Sequence, residues 1–218
     1  RLHNKTHLMN ELGKIKRVLV GLPGVNYADR AKPLTVPDSE PPAELDYNLW
    51  LGPAPWRPYN KHRVHYYFRF FWDYSGGQMT NWGAHHLDIA QWGLGLDETG
   101  PVEIGARAEY DPQKRFEVPA WFEIDYQYAK GVRVLCGNSH RSGTTFEGQD
   151  GLIHVDRGRL ECTLKGVLDE PLGPDEVRLP RSKNHHLNWF ESIKSRQPPI
   201  CDVAIGHRSA TVCHLGNL

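Results

Sequence analysis

The chain has 218 residues, and its 26 Lys+Arg balance its 26 Asp+Glu, so the formal net charge is zero. That balance argues against a basic nucleic-acid-binding surface. The 39% of hydrophobic and 24% of charged residues are typical of a globular protein rather than a disordered one. No stretch approaches the roughly 18 consecutive apolar residues of a membrane span. We therefore expect a globular protein with neither a nucleic acid nor a membrane as its partner.

Several motifs of common cofactor and metal sites do not occur in the sequence. The four cysteines lack C-x-x-C spacing, which argues against a zinc ribbon. No G-x-G-x-x-G follows a predicted strand, and no G-x-x-x-x-G-K-[ST] phosphate-binding loop occurs. We therefore expect that the chain has no nucleotide site of its own.

The first part of the chain predicts one helix, one strand and one long loop. Leucines at helical spacing predict a helix over 2–12, which ends at Gly13. β-Branched residues predict a strand over 15–21. The proline-rich stretch 23–60 predicts an extended loop lying on the protein, and a loop of this length is usually functional or an interface arm.

The rest of the chain predicts a helix, a run of strands and two further helices. The helix in this part is expected from Gly77 to about Leu94. Hairpin turns are expected at Lys130-Gly131 and Asp156-Arg157-Gly158. The strands are expected at 102–110, 121–129, 132–136, 152–155 and 160–164, and the last helices at 184–195 and from about 205. This order favours an α+β fold with an antiparallel or mixed sheet. Helical patterns at both ends indicate that 1–218 is a single domain cut from a longer protein.

The helix predicted after Gly77 carries the chemistry of this sequence. At 100° per residue, Asn81, His85 and Asp88 share one face with Trp92, and most of the remaining surface is apolar. A helix of this kind is expected to be buried, with its polar stripe satisfied internally or facing a cavity. Imidazole transfers protons near neutral pH, so His85 is the candidate acid or base, whereas His86 is expected to be structural.

Two other interpretations of His85 stay open at this point. It fits a core histidine that is hydrogen-bonded to a backbone carbonyl. It also fits a metal ligand, together with Asp88 and either His62 or His65, although no tight ligand motif is present.

Seven aromatic residues lie between 66 and 74, immediately before this helix. Aromatic faces stack on sugar rings, so Trp72 and Tyr74 are candidate pocket residues, and Arg69 or Asp73 can bond hydroxyl groups. The alternative is a buried strand or turn that packs under the helix.

Two long segments and one short one resemble a known family. They are NLWLGPAPWRPY at 48–59, FWDYSGGQMTNWGAHHLD at 71–88 and GHRSA at 206–210. These segments resemble the Gfo/Idh/MocA oxidoreductases, in the bacterial subgroup with its own type of C-terminal domain. The resemblance extends over nearly the whole chain.

The resemblance implies the second half of a two-domain enzyme. Members use NAD or NADP to oxidise or reduce a hydroxyl of a sugar or polyol, and a Rossmann domain in the N-terminal half binds the cofactor. The C-terminal half is an α+β domain with an open mixed sheet and helices on one face, which lines the substrate pocket and often forms the oligomer interface. Only this half is represented here, so the Rossmann domain and its E-K-P lysine are expected to be missing and the chain alone to be inactive.

The resemblance also assigns roles to particular residues. The D-x-x-x-H pair of the family falls on Asn81 and His85, so His85 takes the proton-transfer role. Asn81 departs from the pattern, since an amide cannot carry the negative charge that raises the basicity of an imidazole, although it can position a substrate hydroxyl. The substrate-binding residues expected beside this pair are Asp88, Arg69, Trp72 and Tyr74.

The sequence therefore predicts the substrate-binding and oligomerisation domain of an NAD(P)-dependent sugar or polyol oxidoreductase. A homo-oligomer through the exposed face of the sheet is expected, and no metal. One alternative is a non-catalytic binding or assembly module, which Asn81 favours. Another is a glycoside-processing enzyme that uses NAD as a transient oxidant.

Overall fold

The structure is a computed structural model that describes residues 12–24, 36–169, 171, 174 and 181–218. The helix predicted over 2–12 lies outside the described residues except for Leu12, which is buried in the core. Part of the predicted loop, 25–35, also lies outside them. None of the described helices is long and apolar enough to cross a membrane.

A seven-stranded mixed sheet forms the centre of the fold. Its strand order is β2-β3-β4-β1-β5-β6-β7, with β1 parallel to β4 and every other neighbouring pair antiparallel. The strands are β1 (Ile15–Gly21), β2 (Glu103–Glu109), β3 (Trp121–Gln127), β4 (Arg133–Gly137), β5 (Gly143–Gly148), β6 (Leu152–Asp156) and β7 (Arg159–Cys162). The predicted fold class is confirmed, and so are all the predicted strands.

Strand β5, which pairs with both β1 and β6, was not predicted from the sequence. Its sequence GTTFEG begins and ends in glycine and has one large apolar residue, Phe146. This strand is specified by the partners on its two sides rather than by its own propensity.

Helices precede and follow the run of strands. They are α1 (Tyr47–Leu51), α2 (Gly77–Thr80), α3 (Trp82–Gly93), α4 (His185–Ser195) and α5 (Val203–Asn217), with 3₁₀ helices at His65–Phe70 and Ala129–Gly131. Asn184 and Asp202 cap α4 and α5, because their side-chain oxygens accept hydrogen bonds from Leu187 N and Ala204 N. The two predicted C-terminal helices are confirmed.

The proline-rich loop is not extended throughout, contrary to the prediction. Its middle forms α1, and the Asp46 carboxylate accepts a hydrogen bond from Leu49 N at 2.9 Å as the N-cap. Tyr47 and Leu51 lie one turn apart and are buried with Tyr59, so the loop packs on the protein as expected.

The main core lies between the sheet and α3 and α5. Val18 and Val20 of the central strand are fully buried, and Leu87 of α3 and Val212 of α5 are buried against the same cluster. The opposite face of the sheet carries cross-strand ion pairs, which are Arg17–Glu147, Arg107–Glu123 and Arg133–Asp125. The main core therefore lies on one face of the sheet, and the other face is polar and open.

Gly93 sets the close approach of α3 to the sheet. A Cβ at this position would lie 2.4 Å from Cζ of Phe146 in β5, well inside van der Waals contact. The missing side chain therefore lets the C-terminal end of α3 lie on the buried ring of Phe146.

Candidate functional site

Asn81 lies at a break between two helices. The sequence predicted one helix from Gly77 to about Leu94, but α2 ends and α3 begins at Asn81, whose φ and ψ are −95° and −90°. The Thr80 hydroxyl accepts a hydrogen bond from Gly76 N at 3.0 Å, which satisfies a backbone donor at the start of α2. The Asn81 amide Nδ2 donates to Oε1 of Gln78 at 3.4 Å. Asn81 is thus the residue that caps the start of the helix of His85, not a residue within that helix.

His85 lies on the outer face of α3. Its side chain is exposed, whereas Leu87 and Ala90 on the other side of the helix are buried at about 1% exposure. The Trp82 ring meets the imidazole edge to face, with centroids 5.9 Å apart. The expectation of a helix buried over most of its surface is therefore wrong, because the helix is buried on one side only. Of its polar stripe, Asp88 is satisfied internally, as expected, by the Ser209 hydroxyl, whereas His85 is exposed. The imidazole is accessible to any molecule that approaches this face.

Asp88 ties α3 to α5. Its Oδ1 accepts a hydrogen bond from the Ser209 hydroxyl at 2.6 Å, and Ser209 belongs to the GHRSA segment at 206–210. The Ser209 side chain is buried, and Asp88 is half-buried. This bond orients the helix that carries His85, which is a structural role in addition to the substrate contact predicted for Asp88.

His86 points away from His85, as expected. Its ring is fully buried, stacks on Trp82 with centroids 5.7 Å apart, and has Nε2 3.9 Å from Oδ1 of Asp156. Burial lowers the pKa of His86, while the nearby Asp156 opposes that change. A neutral, packed imidazole of this kind has a structural role.

The described residues do not assemble a metal site. No group of three or more His, Cys, Asp or Glu side chains in this part of the chain is arranged to hold a metal ion. His62 packs its ring on Tyr67 instead, with centroids 5.9 Å apart. The metal-binding interpretation of His85 and Asp88 therefore has no geometric support.

Trp72 and Tyr74 both line a cavity of about 720 Å³ beside α2. The cavity is lined by residues 72–76, by Tyr110 after β2, and by His214, Asn217 and Leu218 at the end of α5. Asn217 holds the wall together, because its Nδ2 donates to the Gly76 carbonyl oxygen at 3.0 Å. The structure thus brings together two of the aromatic residues predicted for the pocket.

Arg69 does not line this cavity. It lies in the 3₁₀ helix, where Nε donates to the Tyr66 carbonyl oxygen at 2.9 Å and the guanidinium lies 4.0 Å from the centroid of the Tyr66 ring. The Arg69 guanidinium therefore makes a local cation–π contact with the Tyr66 ring.

An ion-pair network fixes the aromatic wall of the cavity. The Glu117 carboxylate accepts hydrogen bonds from Trp72 N at 2.9 Å and from Arg57 at 2.8 Å. Arg57 Nε also pairs with Asp73 at 2.5 Å. Arg57 lies in the proline-rich loop and Glu117 between β2 and β3, so three distant segments position residues 72 and 73.

The phenol of Tyr74 is held in its protonated form. Burial raises the pKa of Tyr74 above its ordinary value, and the neighbouring Tyr47 acts in the same direction. The Trp50 ring packs edge to face on the Tyr74 ring, with the ring centroids 4.9 Å apart. Tyr74 is therefore a neutral group at physiological pH.

Most of the residues that complete this cavity were not predicted from the sequence. Tyr110, His214 and Asn217 are far from residues 72–76 in the chain, and Glu117 acts through the backbone of Trp72. No local sequence pattern indicates these residues, because each is a single residue in a different segment of the chain.

Comparison with known proteins identifies the family. Residues 26–218 match a family model described as the oxidoreductase family, C-terminal alpha/beta domain, of the GFO/IDH/MocA type. No curated protein sequence matches the chain.

Solved structures share the fold at low identity. One is the WlbA dehydrogenase from Bordetella pertussis in complex with NADH and UDP-GlcNAcA, with 14% identity over 98% of this chain and a TM-score of 0.55. Another is the aldose-aldose oxidoreductase from Caulobacter crescentus complexed with glycerol, with 17% identity over 97% of this chain and a TM-score of 0.55. The chain spans 56% of the length of each.

The family match covers the aromatic segment, the helix of His85 and the segment that contains Ser209. It therefore confirms the resemblance drawn from the sequence motifs. The chain belongs to the GFO/IDH/MocA oxidoreductase family and represents its C-terminal alpha/beta domain.

Proposed function

We propose that this chain is the substrate-binding and oligomerisation domain of an NAD(P)-dependent oxidoreductase that acts on a CH–OH group of a sugar or polyol. The observation that carries the proposal is the exposed imidazole of His85 on an otherwise anchored helix, in a domain of this family. The structurally similar proteins support it, since one is in complex with NADH and a nucleotide sugar and another is named an aldose-aldose oxidoreductase.

The described residues fit a cofactor that is held mainly by another domain. They contain no glycine-rich phosphate loop, whereas the outer face of α3 around His85 is open to an approaching molecule. A nicotinamide cofactor held there would supply the hydride acceptor for oxidation of the carbinol carbon. The contribution of this chain is then to bind the substrate and to move its proton.

His85 accepts the hydroxyl proton as the carbinol is oxidised. Its imidazole suits this role because imidazole is the side chain best able to accept and release a proton near neutral pH. Asn81 lies four residues before His85, immediately before α3. Its Nδ2 donates to Gln78, and its Oδ1 is the atom that can accept a hydrogen bond from a substrate hydroxyl. Asp88 holds the helix in place through Ser209.

The open face of the sheet is the proposed oligomer interface. A groove of about 340 Å³ crosses this face and is lined by charged residues of β2 and β3 together with Leu135 and His140. The charged side chains there are paired across strands, which lowers the cost of covering them. The mass of the intact protein in solution, measured by light scattering, tests this part of the proposal, and a monomer contradicts it.

The activity is tested with the intact protein, NAD or NADP, and a panel of sugars and polyols. A substrate-dependent absorbance change at 340 nm supports the proposed oxidoreductase. Substrate conversion without accumulation of reduced cofactor would instead indicate that the cofactor is a transient oxidant. The absence of any conversion with all panel members would contradict the enzyme and favour a binding module, the role that Asn81 in place of the family aspartate suggests.

A further inference from the structure

The polar neighbours of His85 on its face of α3 are engaged with other groups. Asn81 donates through Nδ2 to Gln78. The Asp88 carboxylate accepts the Ser209 hydroxyl at 2.6 Å. Among the residues that the structure describes, none is hydrogen-bonded to the His85 imidazole itself. A general base usually needs a third group that orients its ring, because exposed side chains otherwise change rotamer within nanoseconds.

Trp82 contacts this imidazole from the same helix. The two residues are three positions apart in α3, a spacing that makes side chains neighbours on a helix surface. Their ring centroids are 5.9 Å apart and their planes are inclined by 68°, which is an edge-to-face contact. Aromatic rings favour this arrangement. The contact therefore restricts the rotation of a side chain that is otherwise exposed.

The Trp82 ring is itself held by two elements of the fold. On α3, the fully buried His86 ring stacks on it, with centroids 5.7 Å apart and planes inclined by 18°. From the turn between β6 and β7, the guanidinium carbon of Arg157 lies 5.9 Å from the Trp82 centroid, within the range of a cation–π contact.

Trp82 also lies at the boundary between the core and the outer face of α3. Its ring packs against the main core and is half-buried, whereas His85 beside it is exposed. A ring that is supported by its own helix, by the hairpin turn and by the core has little freedom to move. It can therefore serve as a fixed surface for the mobile imidazole.

We infer that Trp82 is a positioning residue for the proposed reaction. It holds the His85 imidazole in the orientation that accepts the hydroxyl proton, and His86 and Arg157 hold Trp82 in place. This inference rests on the proposed function, because Trp82 acts through His85. Proton transfer needs the donor and acceptor aligned within hydrogen-bond reach, so a misaligned imidazole lowers turnover without weakening substrate binding.

Steady-state kinetics of the intact protein test the inference, with a substrate identified in the sugar and polyol panel. Trp82→Leu is expected to lower kcat about tenfold to hundredfold and to change KM by less than about twofold. Trp82→Phe, which keeps an aromatic ring, should retain most of kcat. Trp56→Leu is the matched control, since Trp56 is 71% exposed and belongs to the proline-rich loop. An unchanged kcat in Trp82→Leu, an equal loss in Trp56→Leu, or a loss confined to KM would overturn the inference.

A double substitution separates positioning from a general structural effect. In the His85→Ala protein, the added Trp82→Leu substitution should lower kcat no further, because a residue that acts through His85 has nothing left to orient. A further loss of about tenfold in the double variant would mean that Trp82 acts independently of His85, which contradicts the inference.

NMR of the His85 ring supplies a readout that does not depend on turnover. The Cε1–Hε1 signal is assigned by its absence in the His85→Ala protein, and the indole ring current should displace it from the position of a free histidine. In Trp82→Leu the signal should move to that free position, and in Arg157→Gln part of the way. A wild-type signal at the free position would overturn the inference.

The two sets of measurements distinguish this inference from the proposed function. A wild-type protein without cofactor-linked turnover contradicts the proposed function, while the NMR signal still decides whether Trp82 fixes the imidazole. Turnover that depends on His85 but is unaffected by Trp82→Leu supports the oxidoreductase and contradicts the positioning role.

Discussion

The Asp88 carboxylate and the Ser209 hydroxyl are joined by a hydrogen bond of 2.6 Å, although 121 residues separate them in the chain. The bond links α3, which carries His85, to α5, whose last turn contributes His214 and Asn217 to the cavity. It therefore fixes the relative positions of the two helices that present the candidate site. The Ser209 hydroxyl also supplies a hydrogen-bond donor to the half-buried Asp88 carboxylate, which lowers the cost of burying it.

Removal of this donor is expected to destabilise the protein. Ser209→Ala leaves the half-buried Asp88 carboxylate without the hydroxyl, which should lower the free energy of unfolding by about 1–2 kcal/mol. The comparison is with Thr211→Val on the same helix, which removes a hydroxyl bonded to the backbone oxygen of His207 one turn earlier. Urea unfolding of the intact protein measures both, and equal effects of the two substitutions would contradict a special role for the Asp88–Ser209 bond.

Substitution of His85 is expected to affect turnover rather than stability. The side chain is exposed, so His85→Ala should leave the unfolding transition unchanged and lower turnover by about 10²- to 10⁴-fold, the usual contribution of general acid–base catalysis. The affinity for the cofactor should change little. His186→Ala, at an exposed histidine of α4, serves as the control. Unchanged turnover in the His85→Ala protein would remove this residue from the mechanism.

A side chain at position 93 is expected to force α3 away from the sheet. Alanine at an exposed helical position usually stabilises relative to glycine, but the new Cβ of Gly93→Ala would lie 2.4 Å from the Phe146 ring. That ring is 2% exposed and packed in the main core, so we expect a net destabilisation of about 1–3 kcal/mol.

Thermal unfolding of the Gly93→Ala protein tests this expectation. Gly100→Ala is the control, because no atom lies within 4 Å of a Cβ built there, and it should change stability by less than about 0.5 kcal/mol. A Gly93→Ala protein that is as stable as the wild type would show that α3 can shift without cost.

Asp111 is expected to contribute a pH-dependent part of the stability. Its buried carboxylate accepts hydrogen bonds from the Arg115 side chain at 2.7 and 2.9 Å and from Arg115 N at 3.0 Å, in the turn after β2. The Arg115 side chain is the main reason that the pKa of Asp111 falls to about 2. In the unfolded chain the pKa of an aspartate is about 3.9. The stabilisation is therefore complete above the unfolded value and is lost as the pH falls through about 2.

Asp111→Asn tests this dependence. At pH 7 the variant should be less stable than the wild type by about 2 kcal/mol, since it loses the charge that Arg115 binds. The difference should shrink as the pH falls from 5 towards 2, when the wild-type carboxyl becomes protonated. The unfolding temperatures of the variant and the wild type, measured across this pH range, test the prediction. A stability difference that does not change with pH would mean that the packing of the Asp111 side chain, rather than its charge, is responsible.

The sequence by itself determined most of the local elements and the family. Glycines with positive φ mark both predicted hairpins, Gly131 at 79° and Gly158 at 71°, and the structure forms turns at both. The motifs at 48–59, 71–88 and 206–210 indicated the family that the match over 26–218 confirms. These features depend on residues that are close in the chain, so a local pattern records them.

The tertiary structure decided which groups are accessible and which meet. The hydrophobic pattern correctly placed Leu87 and His85 on opposite faces of α3, but only the packing against the sheet and α5 shows that His85 faces outward. The cavity depends on Tyr110 and α5 reaching residues 72–76. Such contacts join segments of high sequence separation. They are fixed by burial and packing of the whole domain, which no local pattern encodes.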